Sequence, residues 1–111
     1  MKIVSLADLP AEGVSHDPAI RKQVLLRRGE LPHLMQFAQS RLSPGQVART
    51  HVHRDMWEVF LIEQGTGVMR VDGRPHPLAP GLCIAVAPGE SHEIVSTGPE
   101  ELVLTYFSVA V

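Results

Sequence analysis

Apolar residues along this chain come in short alternating runs separated by turn residues, and no apolar period of 3.6 residues persists long enough for a substantial helix. The pattern predicts an all-β protein, with strands at Lys2–Leu6, Gln23–Arg27, His33–Leu42, Gln46–His53, Trp57–Glu63, Gly67–Val71, His76–Leu78, Leu82–Ala87, His92–Ser96 and Glu101–Val109. Ser43-Pro44-Gly45, Gly65, Asp72-Gly73, Pro80-Gly81, Pro88-Gly89 and Gly98-Pro99 mark the breaks. Asp72-Gly73 is the strongest hairpin signal, because both central positions of a type I′ turn need positive φ. Asp17-Pro18 has the signature of a helix start, Asp as cap and Pro in the first turn, and predicts a short helical turn through Lys22.

The phase of the strand around Glu58 has a consequence for packing. If Glu58 points inward, so do Phe60 and Ile62, and Val59 and Leu61 face outward. A strand apolar on both faces must be covered outside by the N-terminal segment or by a second subunit. Core packing is expected for Phe37, Trp57, Tyr106 and Phe107, with pocket lining the alternative; the last strand turns either Tyr106 or Thr105 and Phe107 toward the interior. Cys83, within the apolar run Leu82–Val86, is expected to be a small buried hydrophobe, and His16, His33 and His76 are expected in surface loops.

Length and charge narrow the function. At 111 residues the chain is one domain, and its single cysteine excludes an internal disulfide. No apolar run is long enough for a membrane span or secretory core, so the expected location is cytoplasmic, with no membrane partner. A formal net charge of −2, with basic residues scattered apart from Arg27 and Arg28, gives no footprint for nucleic acid. The two lysines against eight arginines, with no asparagine, suit a GC-rich genome.

The candidate chemistry lies between two glycines. Five residues separate Gly45 from His51, one separates His51 from His53, four separate His53 from Glu58 and six separate Glu58 from Gly65. Histidines two apart on a strand share a face, which is chelate geometry, and Glu58 re-enters after the turn Arg54–Trp57. A second cluster, Gly81 to Ser96, adds His92. Three imidazoles and a carboxylate suit Fe, Mn, Ni, Zn or Cu rather than Ca or Mg, which prefer oxygen shells. In an octahedral site four protein ligands leave two positions open, as Lewis-acid or oxygen chemistry requires.

These residues resemble the cupins. The first cupin motif is matched at every fixed position from Gly45 to Gly65, and the second aligns as Gly81, Ala87, Gly89, His92 and Ser96, with Ala87 in place of its proline and Ser96 in place of its asparagine. The 15 residues Thr66–Pro80 between them are a compact spacing. The resemblance implies a cupin β-barrel of jelly-roll type over residues 33–111, with residues 1–32 an N-terminal arm that packs on the barrel or is exchanged in a homodimer. It implies metal ligands His51, His53, Glu58 and His92, a catalytic role for Glu58, a divalent transition metal and a small-molecule substrate or ligand. The family hosts many activities. Retention of all four ligands argues against epimerase-type and storage members. The carboxylate argues against thiol dioxygenases, and Thr105, where uronate-linearising members are expected to carry an acid, against those. A dioxygenase-like enzyme acting on an oxygen-rich molecule is favoured. A sugar or uronate isomerase or lyase, and a non-catalytic small-ligand-binding module, are the alternatives.

Overall fold

The computed structural model describes all 111 residues. Ten strands form: β1 (Glu12–Val14), β2 (Asp17–Arg27), β3 (Leu34–Leu42), β4 (Val47–Val52), β5 (Met56–Gln64), β6 (Gly67–Val71), β7 (Arg74–Leu78), β8 (Cys83–Val86), β9 (Ser91–Ser96) and β10 (Leu102–Ala110). They pair antiparallel in a six-stranded sheet, β1-β2-β3-β10-β5-β8, and a four-stranded sheet, β4-β9-β6-β7. The inner faces meet in one apolar core, to which Ile20, Leu42, Ile62 and Leu104 come from the larger sheet and Ala48, Met69, Leu78 and Ile94 from the smaller. This is the all-β, double-sheet barrel that the resemblance implies.

Local sequence explains the joints. The β6–β7 hairpin turns at Asp72-Gly73, both with positive φ (49° and 78°), as a type I′ turn requires. Gly65, closing the first motif, has φ +83°, and a Cβ there would lie 2.5 Å from the Glu101 carbonyl oxygen, so two chain segments meet where only a glycine fits.

Before residue 33 the structure departs from expectation. Lys2–Leu6 is not a strand; Met1, Ile3 and Val4 are exposed, and the segment ends in a 3₁₀ turn at Leu6–Asp8 that Gln23 Nε2 holds by donating to the Leu6 and Leu9 carbonyls. Asp17-Pro18 opens strand β2, not a helical turn. The Asp17 side chain does accept from the Ala19 amide, at 3.0 Å, as a cap would, but pairing with β1 and β3 keeps the backbone extended and the tertiary ladder overrides the local signal. Residues 12–27 thus add two strands to the larger sheet.

The inward phase of Glu58, Phe60 and Ile62 holds: they are 8%, 4% and 1% exposed, against 41% for Leu61. Trp57 and Phe107 are not core residues. They lie exposed on the outer face of the larger sheet, because the alternation that turns Glu58 and Tyr106 inward turns these two out. Cys83 is also exposed rather than buried, since on edge strand β8 it is Val86 that reaches the core.

Candidate metal site

His51 owes its position to a bulge. Ala48 pairs with Ile94 and His51 with His92, so three steps along β4 match two along β9. Strict alternation would put Ala48 and His51 on opposite faces; the extra residue re-aims the imidazole inward, beside the cavity-lining Ala48. The bulge also fixes the ring. His51 Nδ1 lies 2.8 Å from the Arg49 carbonyl oxygen, which can only accept, so the proton sits on Nδ1 and the Nε2 lone pair is free. Burial lowers the His51 pKa, against the raising effect of that carbonyl, which favours the neutral imidazole a metal needs.

The other donors come from three places. His53 follows the end of β4, its carbonyl accepting from the Gly89 amide at 2.7 Å, a bond that ties the first motif to the second. His92 stands on β9, 1% exposed, with its ring centroid 4.1 Å from that of His51. Glu58 reaches in from β5 of the opposite sheet. All four ligand atoms lie within 4.8 Å of one another, close to the roughly 4 Å between opposite donors on an ion bonded at about 2.0–2.2 Å.

Glu58 Oε1 lies 3.0 Å from His92 Nε2 and 3.3 Å from His53 Nε2. Yet Glu58 Oε1 and His92 Nε2 are buried without a hydrogen-bonding partner, since the separation is right and the angles are not. Buried polar atoms are normally satisfied. Two that converge on a common point without bonding each other are arranged as ligands to a shared cation. Burial alone pushes the Glu58 carboxyl upward, but His92, then His53 and His51, outweigh it and hold the group below the usual glutamate range. The donor set therefore fits a divalent transition metal.

The site faces a cavity of about 280 Å³ whose apolar wall includes Ile20, Leu42, Phe60 and Leu104. Of the two alternatives for the last strand, Tyr106 lines the cavity and Phe107 faces out. Its ring stacks on Phe60 at 5.5 Å, its hydroxyl oxygen accepts from Gln36 Nε2 and Ser40 Oγ at 3.3 Å each, and burial pushes its phenol up.

A family profile described as the cupin domain matches residues 38–109, most of the chain. The chain belongs to the cupin family. An oxalate-binding protein of Thermotoga maritima is 35% identical over 66 residues, which are 60% of this chain and 54% of that protein. The dimethylsulfoniopropionate lyase DddW of Ruegeria pomeroyi is 31% identical over 75 residues, 68% of this chain and 48% of that one. The chain thus spans about half the length of the curated relatives it matches. A crystal structure of a predicted oxalate decarboxylase from Thermotoga maritima superposes with a TM-score of 0.91 at 24% identity, covering 99% of this chain and 100% of that one, which supports the fold.

Two titratable residues of the cavity were not assigned to it by the sequence analysis, and both lie before the cupin-matched region. His16 occupies an exposed turn as expected, and its ring also lies against that of His51, centroids 4.7 Å apart and tilted by 34°, where partial burial lowers its pKa. Lys22 projects inward from β2. His33 and His76 are exposed, His76 on strand β7 rather than in a loop.

Proposed function

We propose that this cupin binds a divalent transition metal through His51, His53, Glu58 and His92 and uses it to transform a small, oxygen-rich organic molecule in the adjacent cavity, with dioxygenase-like chemistry favoured. The observation that carries this is the buried, unbonded approach of Glu58 Oε1 and His92 Nε2 within a four-donor cluster. A bound metal would supply Lewis-acid or oxygen-activating chemistry, with room for a ligand beside four protein donors. Glu58 is the anionic donor, held ionised below the usual glutamate range, and in this reading the acceptor of a proton from the ligand, though a weaker base than one with a raised pKa; Tyr106, whose oxygen already accepts two hydrogen bonds, keeps its own proton to donate. The apolar wall excludes water and orients the carbon skeleton. The relatives' names, an oxalate-binding protein and a dimethylsulfoniopropionate lyase, support a small organic ligand and keep two alternatives in view, a lyase or sugar isomerase and a non-catalytic binding module.

The reading includes a homodimer, for which the exposed Trp57, Leu61 and Phe107 on one sheet face offer the surface. It also includes a cytoplasmic setting and no nucleic-acid or membrane partner; no helix is long and apolar enough to cross a membrane. Elemental analysis of protein purified without chelators, followed by aerobic and anaerobic turnover screens against phenolics, diketones and uronates, tests the proposal. About one ion per chain with oxygen-dependent turnover is expected. Absence of metal would overturn it, and oxygen-independent turnover would move it to the isomerase or lyase alternative.

A further inference from the structure

One of the chain's two lysines points into the barrel. On β2 its neighbours on the same face, Ile20 and Val24, are 1% and 5% exposed, so Lys22 stands where alternation calls for a core side chain. Placing an ammonium there is costly unless something answers its charge. Lys22 makes no ion pair within the protein: those made by lysine and arginine use Lys2, Arg27, Arg41 and Arg70. Glu12, opposite Lys22 in the β1–β2 register, pairs with Arg27 at 2.9 Å and gives Lys22 only a longer-range attraction. Lys22 Nζ donates to Gln36 Oε1 at 2.8 Å, which leaves two of its three donors unused.

Gln36 links this lysine to the tyrosine. Its oxygen accepts from Lys22 and its amide nitrogen donates to the Tyr106 hydroxyl, which also accepts from Ser40. One carboxamide thereby orients two groups with spare donors, Lys22 N–H and Tyr106 O–H, on a single wall of the cavity. Glu58 stands on β5, and β10 and β3 separate it from β2. That is three strand spacings, roughly 14 Å along the sheet. Inward-leaning side chains from both ends shorten it, and the space left between lysine and ligand cluster suits a short carbon chain.

The geometry points to an organic acid as the ligand of this cavity, its carboxylate held by Lys22 and the Tyr106 hydroxyl and its opposite, oxygen-bearing end directed at His51, His53, Glu58 and His92. The inference rests on the proposed metal-dependent reading and adds the substrate class and the residue that selects it. Lys22 lies outside residues 38–109, so this selectivity belongs to the strand added before the cupin-matched region.

Calorimetric titration of malonate, succinate and glutarate, and of their neutral diamides, into metal-loaded wild-type and Lys22→Met proteins tests it. Methionine keeps an aliphatic side chain of similar length and removes the charge. At least one diacid should bind Lys22→Met about ten- to a hundred-fold more weakly than wild type, as loss of a charge-assisted hydrogen bond predicts, while the diamides change less than two-fold. Lys22→Arg should retain most of the diacid affinity. Diacid binding unaffected by Lys22→Met, an equal loss for acids and diamides, or no binding of any diacid to wild type would overturn the inference. Metal content of the same samples reports separately on the metal reading: if wild type holds no metal, that reading falls, and the comparison of acid with diamide across the variants is still made on the metal-free protein.

Discussion

His92 Nε2 and Glu58 Oε1 face each other at 3.0 Å, both buried, and no hydrogen bond joins them. Two atoms so placed gain from a cation between them. Adding Mn, Fe, Ni, Zn or Cu ions to chelator-treated protein is expected to raise the melting temperature, since a ligand at a hundred times its Kd stabilises by about 2.7 kcal/mol. His92→Ala should abolish the shift, read by differential scanning calorimetry.

Glu58→Gln keeps size and an oxygen donor but loses the one anionic ligand. Metal affinity should fall at least ten-fold in competition with a chromophoric chelator. Refilled with excess metal, the variant should fold yet lose turnover if Glu58 handles the proton. Unchanged turnover after refilling would remove that role. Electron paramagnetic resonance of Mn- or Cu-loaded wild type should respond to added small anions if coordination positions are open.

Tyr106 is the only tyrosine, so phenolate absorbance near 295 nm reports on it alone. Burial raises its pKa, and the midpoint of an alkaline titration of folded protein should lie above the ordinary tyrosine value of about 10. With the folded pKa above the unfolded one, the contribution to stability is complete below about pH 10 and is lost as the pH rises toward the folded value. Tyr106→Phe should lose the absorbance change and this part of the alkaline destabilisation.

Gly65 and Gly73 both have positive φ, but only Gly65 is crowded: a Cβ meets the Glu101 carbonyl oxygen at 2.5 Å there, and nothing within 4 Å at Gly73. Gly73→Ala should therefore cost about 1–2 kcal/mol for the left-handed backbone alone. Gly65→Ala should cost more by at least about 1 kcal/mol, because two backbones must part. Urea midpoints of the two variants give the comparison.

Trp57, the single tryptophan, is 42% exposed on the outer sheet face, with Phe107 at 38%. If this face forms the proposed dimer, wild type should scatter light as twice the chain mass, and its tryptophan emission should shift to the red on dilution. Phe107→Glu should yield a monomer without loss of the inward-facing metal ligands. A monomeric wild type would remove the dimer.

Where the sequence carried geometry, it did so through spacing. The intervals between Gly45, His51, His53, Glu58 and Gly65 placed three donors, and the second cluster Gly81–Ser96 supplied His92, the fourth that the structure brings with them within 4.8 Å. Alternation around Glu58 gave the phase of β5 correctly. The bulge between Ala48 and His51 was not legible, because which strand residue is left unpaired depends on the partner β9. Lys22 was missed for a local reason: Asp17-Pro18 imitates a helix start even to the Asp17–Ala19 hydrogen bond, and only pairing with β1 and β3 reveals the strand. A signal was present in Ile20, Lys22 and Val24, an inward triplet whose middle member carries a charge. His16 gave none, since its approach to His51 follows from how the β1–β2 turn sits over the cavity.

Strand β7 carries Pro75 and Pro77 at the edge of the smaller sheet, opposite Arg70 and Val68 of β6. A proline has no amide hydrogen to give a neighbour, so a paired strand tolerates one only where its nitrogen faces away from the partner. Two prolines two residues apart turn both such nitrogens to the open side, and that rim presents carbonyl oxygens without donors between them. An incoming strand could not complete a reciprocal ladder there, so fibre growth by lateral accretion has no foothold on this side of the molecule.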